Sequence, residues 1–188
     1  MKIIPAILAK TEEEFINMIR KIEPYTDLVH LDIADGEFMP SRTIGGYEEL
    51  KKINTRLNFE IHLMVNEPEN LIGRWLETKA VRYLVHWEST QAYDSVINEF
   101  GVNRKEVGFV FNPQTEYEAI EPYIDRLDLV QFMTVDPGFY GSPFVPEVLE
   151  KIRNFHSRYP NKIIQVDGGI KSETVKLVEA AGVSRAAV

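Results

Sequence analysis

The chain has 188 residues, 44% of them hydrophobic, with a formal charge of −8 and no cysteine. Such a length and apolar content suit one folded domain over residues 1–188. The negative field argues against nucleic-acid or anionic-membrane partners, and the missing cysteines exclude disulfides and thiolate metal sites. No segment reaches the ~20 apolar residues of a membrane span, and the opening MKIIPAIL lacks the pattern of a signal peptide, so a cytoplasmic protein is expected. A small phosphorylated ligand stays compatible with the acidity, because backbone N–H groups can bind an anion locally.

Short apolar runs recur along the chain: KIIPAIL, DLVHLDIA, LNFEIHLMV, VRYLVHW, EVGFVFN, DLVQFMTV, KIIQVDGG and a last SRAAV. Segments of helical period separate most of them. After the first run, Thr11 and Glu14 form a capping-box pattern ahead of Phe15, Met18, Ile19 and Ile22, which share one helical face. Residues 45–54 support only a short helix. Pro68 can open a helix carrying Leu71, Ile72 and Trp75, and Thr115 with Glu118 repeats the capping signal before Tyr117, Ile120 and Ile124. Residues 144–159 carry Val148, Leu149, Ile152 and Phe155, and Gly182 closes a helix begun near Ser172.

Strands apolar on both faces and alternating with helices imply a parallel sheet covered by helices. Seven such units with an eighth strand starting predict an α/β protein of the (β/α)8 TIM-barrel type. An open doubly wound sheet would carry a glycine-rich first turn, whereas this one reads AILAKTEEEF. The sequence stops at Val188 inside the would-be eighth strand, so the last strand–helix unit is expected to be incomplete.

The stretch LVHLDIADGEFMP places His30 and Asp32 on one strand face and Val29, Leu31 and Ile33 on the other. In a barrel the first pair faces the interior near the C-terminal rim, where barrel active sites lie. Glu60 and His62 share a face in the next strand, and Asp167 ends KIIQVDGG. Buried imidazoles and carboxylates are costly unless they pair with one another or hold a metal ion, and two His with two Asp suit zinc, manganese, iron or cobalt. The competing reading of each residue alone is a core polar group bonded to a neighbour. His86 and Glu88 repeat the alternation in VHWEST and divide between a supporting and a purely structural role. Asp35 belongs to the turn that Gly36 allows, and His156 is expected on the solvent side of its helix. In MTVDPGFYGSPF, Gly138 and Gly141 precede a helix; with DGGI after the next strand they make a phosphate-binding rim conceivable, against the simpler reading of a turn after Pro137.

Taken in order, HLDIADGEFMP, IHLMV, VHWEST, MTVDPGFYGSPF and QVDGGI resemble the ribulose-phosphate 3-epimerase family, including its allulose-6-phosphate 3-epimerase-like members. The resemblance runs from Pro5 to the end of the chain and implies the ribulose-phosphate-binding (β/α)8 barrel. It implies His30, Asp32, His62 and Asp167 as ligands of one divalent ion (Zn, Fe, Mn or Co), with Asp32 and Asp167 as the acid/base pair of a C3 epimerisation. It further implies substrate contacts from His62, Met64, Gly138, Phe139, Tyr140, Gly141, Gly168 and Gly169. The expected partner is a small phosphorylated sugar, with a homo-oligomer left open.

Several positions depart from the family pattern. Ala6 stands where P-S-I-L has serine, and Ala34 where D-V-M-D-G has methionine. Tyr140 occupies a small-residue slot, Ser142 a common glutamine, and Ser41-Arg42 an asparagine-led pair. The chain also ends before the G-S loop that completes the family's phosphate site, so weak sugar-phosphate binding is expected of it as given. The alternative is an epimerase-like barrel without turnover that binds a metal, ligand or partner. A metal-independent barrel of the orotidine phosphate decarboxylase kind fits less well, because its D-x-K-x-x-D signature needs a lysine that neither DLVHLD nor QVDGG has.

Overall fold

The computed structural model describes residues 1–137 and 141–188. Its nine strands form one parallel sheet that curls into a nearly closed barrel. They are β1 (Lys2–Ile4), β2 (Ala6–Ile7), β3 (Leu28–Ala34), β4 (Asn58–Met64), β5 (Arg82–His86), β6 (Glu106–Phe111), β7 (Leu129–Met133), β8 (Ile163–Asp167) and β9 (Arg185–Ala187).

Nine strands fill eight barrel positions because the first is split at Pro5. Its first half, β1, pairs with β9, and its second half, β2, pairs with β3. Proline has no N–H to give a ladder, and here its carbonyl accepts from His30 N while Ala6 N donates to the Val188 carbonyl. The chain thereby passes its hydrogen bonds from the last strand to the second. The expected eighth strand is present at Arg185–Ala187 and is paired on both sides.

Helices α1 (Glu12–Ile22), α2 (Tyr47–Lys52), α3 (Ile72–Leu76), α4 (Tyr93–Val102), α5 (Val148–Arg158) and α6 (Val175–Ala180) lie in the connections between strands. The α1 capping box forms as expected: Glu14 N donates to Thr11 Oγ1, and the Glu14 carboxylate accepts from Thr11 N. Pro68–Asn70 is a 3-10 turn preceding α3. The segment expected as a capped helix after Thr115 is instead a 3-10 helix, Glu118–Arg126, without a side-chain cap and with Pro122 inside it, where no N–H is available to donate. The next two helices start three to four residues later than the apolar pattern suggests, at Val148 and Val175.

Strand parity divides the core. Val29, Leu31, Ile33, Phe59, Ile61 and Leu63 point outward and pack with Phe15, Ile72, Trp75 and Phe155 of the helices. Inside the barrel, Leu84, Val110, Leu129, Met133 and Val135 form a separate apolar cluster. The interior also holds polar groups: His30, Glu60, His62, His86, Gln131 and Gln165 are all fully buried. No helix among the described residues is long and apolar enough to cross a membrane.

Replacing Thr11 by alanine removes an N-cap and is expected to cost about 1 kcal/mol in denaturant unfolding. Steady-state kinetics should be unchanged, because Thr11 is exposed and lies outside the polar interior.

Candidate metal centre

Parallel pairing sets residues of neighbouring strands side by side, and register therefore decides which polar groups meet. His30 lies level with Glu60 and Arg82, and Asp32 with His62. The lower tier is a line of partners. His30 Nδ1 is 2.7 Å from Glu60 Oε1, Arg82 pairs with the other Glu60 oxygen, and Gln165 donates to Glu60 Oε1 at 2.6 Å and to Gln131 at 2.9 Å.

Above it, His62 Nδ1 stands 2.9 Å from Asp32 Oδ1 and 3.1 Å from Asp167 Oδ2. One ligand atom from each of His30, Asp32, His62 and Asp167 lies within 4.8 Å of the others. This brings together the four residues expected to act as ligands. His30 Nε2 is 3.3 Å from Asp32 Oδ1 and 3.6 Å from Asp167 Oδ2, yet it is buried and has no hydrogen-bond partner among the described residues. With Nδ1 donating to Glu60, His30 would present an Nε2 lone pair into the cluster whenever that nitrogen gives up its proton. Two imidazole nitrogens and two carboxylate oxygens around that point fit a borderline divalent ion.

The groups perturb one another strongly. Burial opposes charge on His30, but the Asp32 charge and the Asp167 and Glu60 carboxylates outweigh it and raise the imidazole well above the ordinary histidine value. His62 is raised for the same reason, against its burial, by Asp167 and Asp32. Asp167, despite burial, is held well below the usual carboxylate range by His30 and His62. Asp32 is lowered too, its burial and the Asp167 charge being overcome by the two imidazoles. Glu60 is drawn down to about 2 by His30 and Arg82 in spite of desolvation. His86 goes the other way, to about 4, because burial dominates.

The remaining expected site residues divide. Met64 is buried and packs with Ala34 and Met39, flanked by Phe38. Gly168 has φ +100°, and a Cβ there would meet Val135 Cγ2 at 2.4 Å, so the turn after Asp167 requires glycine. Gly169 also has positive φ, and a Cβ at Gly141, φ +81°, would meet nothing within 4 Å among the described residues. Gly138, Phe139 and Tyr140 lie outside the described residues. Asp35 is structural as expected: its carboxylate accepts from Glu37 N, Phe38 N and Asn66 N. His156 departs from expectation, since it is half-buried with its ring against the Gly182 backbone rather than on the solvent side. Sequence reasoning missed Arg82, Gln131 and Gln165. The signal was there, because each shares its strand's inward parity with His86, Met133 or Asp167.

A model of the ribulose-phosphate 3 epimerase family matches residues 2–187. The chain belongs to that family. It is 35% identical to the ribulose-phosphate 3-epimerase of Bacillus subtilis, with 97% of this chain and 87% of the relative covered. Identity to the Schizosaccharomyces pombe enzyme of the same name is 33%, over 96% of this chain and 82% of the relative. The family consists of carbohydrate epimerases, which are isomerases. Among solved structures, the tryptophan synthase A-subunit of Pyrococcus furiosus superposes with a TM-score of 0.69 at 15% identity, over 100% of this chain and 86% of that one. Orotidine 5'-monophosphate decarboxylase from Sulfolobus solfataricus gives 0.63 at 10%, over 100% of this chain and 87% of that one. At such identities the likeness is one of fold, and it bears out the expected TIM barrel.

Unfolded aspartate and histidine titrate near ~4 and ~6.5. The lowered aspartates stabilise the fold fully above the first value and lose that contribution as pH falls through their folded values. The raised imidazoles stabilise it fully below the second and lose that contribution as pH rises through their folded values. A divalent ion competes with the imidazole protons, so the Tm gap between zinc-saturated and chelator-stripped protein is expected to widen as pH rises toward the raised imidazole values and to level off above them. Scanning fluorimetry across pH checks this, and a gap that narrows as pH rises would contradict it.

Proposed function

We propose that this chain epimerises C3 of a ketose phosphate, D-ribulose 5-phosphate or a close relative, with Asp32 and Asp167 as the acid/base pair. The observation that carries the reading is the convergence of those two carboxylates with His30 Nε2 and His62 Nδ1 on the inward faces of β3, β4 and β8. His30, Asp32, His62 and Asp167 would hold one divalent ion of the zinc, iron, manganese or cobalt group. When bound, that ion supplies Lewis-acid stabilisation of the negative charge that develops on the substrate's oxygens, worth several kcal/mol.

Inverting C3 requires a proton to leave from one face beside the ketone and another to arrive on the opposite face of the ene-diolate. Two carboxylates entering the barrel mouth from its second and seventh strands can divide these tasks. Both carboxylates are lowered and so favour the ionised form, with the neighbouring imidazoles supplying the balancing charge; one can accept the C3 proton, and the other must take up a proton before it delivers one to the opposite face. Met64, with Met39 beside it, gives the flat intermediate a polarizable apolar wall. Gly141, Gly168 and Gly169 are assigned to the phosphate rim, where backbone N–H groups without a side chain above them can approach an anion. Ala6 lies level with His30 in the register, so the hydroxyl found there in the family pattern is missing directly beside the centre.

Asp32→Asn and Asp167→Asn are each expected to lower exchange of the substrate's C3 hydrogen with solvent deuterium by at least ~100-fold, with the circular dichroism spectrum unchanged. Exchange at the unsubstituted rate in either variant would reject the assignment. Bound metal with no exchange on any ketose phosphate in the unsubstituted protein would favour a binding role over an enzymatic one.

A further inference from the structure

His62 has a second neighbour that the proposed chemistry leaves unused. Its Nε2 is 2.9 Å from His86 Nε2, and the two rings are nearly parallel, 17° apart. His86 is fully buried and lies 5.0 Å from the Phe38 ring, centroid to centroid. Its other nitrogen, Nδ1, is 3.3 Å from Glu88 Oε2, and Glu88 Oε1 accepts from Asn112 N at 2.9 Å. The loop carrying Asn112 is held in turn by Lys151, whose ammonium donates to the carbonyls of Asn112, Pro113 and Thr115. These contacts join β4, β5, the loop after β6 and α5.

Two imidazole nitrogens at hydrogen-bond distance share a single proton, so the direction of that bond is a choice between tautomers. If His62 Nδ1 is to offer a lone pair to a cation, the His62 proton must sit on Nε2 and point at His86. His86 must then accept with Nε2 and carry its own proton on Nδ1. In the reverse arrangement His86 Nδ1 would turn a lone pair toward the Glu88 carboxylate, a contact between two acceptors. The carboxylate therefore selects the direction. We propose that His86 and Glu88 are positioning residues that keep a His62 proton on Nε2, so that Nδ1 is the nitrogen His62 gives to a divalent cation.

The inference rests on the metal reading above, and the test keeps their failures apart. Zinc affinity is measured by chelator competition on the full chain, and the protonation sites of the histidine rings by 15N–1H correlation on the zinc-loaded, unsubstituted protein. The spectrum is expected to show the His62 proton on Nε2 and the His86 proton on Nδ1. His86→Phe, which keeps a flat ring but no acceptor, should weaken zinc binding by about 10–100-fold. His86→Gln should recover most of that loss, since its amide oxygen can accept from His62 while its NH2 donates to Glu88. Glu88→Gln should weaken binding as well, because an amide there can donate to His86 and so permit the reverse tautomer.

A His86 proton found on Nε2 in the loaded protein would overturn the proposal, and that readout stands even if His86→Phe fails to fold. Zinc bound as tightly by folded His86→Phe as by the unsubstituted chain would overturn it too, as would a His86→Gln variant no better than His86→Phe. Absence of zinc binding by the unsubstituted protein would instead strike down the metal reading, and this proposal with it.

Discussion

Charge buried inside the barrel has to be balanced where it sits, and the rest of the interior is arranged around that requirement. An isolated ion at such depth costs several kcal/mol or more. Glu60 is answered by Arg82, which itself reaches the half-exposed Glu106 carboxylate. Asp32 and Asp167 carry two further negative charges and have no Arg or Lys partner among the described ion pairs. Two protonated imidazoles or one divalent cation neutralises them equally well. The carboxylates raise His30 and His62, which favours the charged imidazoles, and the same four residues are grouped closely enough to hold a metal ion instead.

The architecture makes that balance possible by pairing strands in parallel register. His30, Glu60 and Arg82 come from three successive strands and meet because they are level, not because they are near in sequence. The split at Pro5 brings Ala6 alongside His30 while β1 joins the last strand, so the two ends of the sheet meet at one residue. Opposite the polar tier, Leu84, Val110, Leu129 and Met133 fill the barrel with hydrocarbon, which keeps water away and lets the polar contacts act in a low dielectric.

Family membership and local departures are compatible because they concern different layers. The four prospective ligands come together, and an apolar wall stands beside them. Ala34 ends β3, and Met39, from the following loop, packs against it together with Met64. Asp35 ties that loop down through three backbone N–H groups, so the position of Met39 is set by hydrogen bonds outside the wall itself.

Much of this was legible before any coordinates, since alternation with period two places residues on a strand face whatever the tertiary context. His30, Asp32, His62 and Asp167 could be assigned inward from the chain alone, and the αβ alternation implied the barrel. The same rule would have marked Arg82, Gln131 and Gln165 had it been applied to every strand. Local rules failed where a local competitor intervened, as at Pro122, which denies the segment after Thr115 an N–H and leaves it a 3-10 helix. They also failed where packing alone decides, as for His156 against Gly182. What the sequence by itself determined was which side chains face the interior, because that follows from backbone geometry. Only the tertiary structure decided which of them touch. The contact between His62 and His86, the place of Glu60 between His30 and Arg82, and a His30 Nε2 without a hydrogen-bond partner among the described residues all depend on strand register and barrel closure, which no single strand encodes.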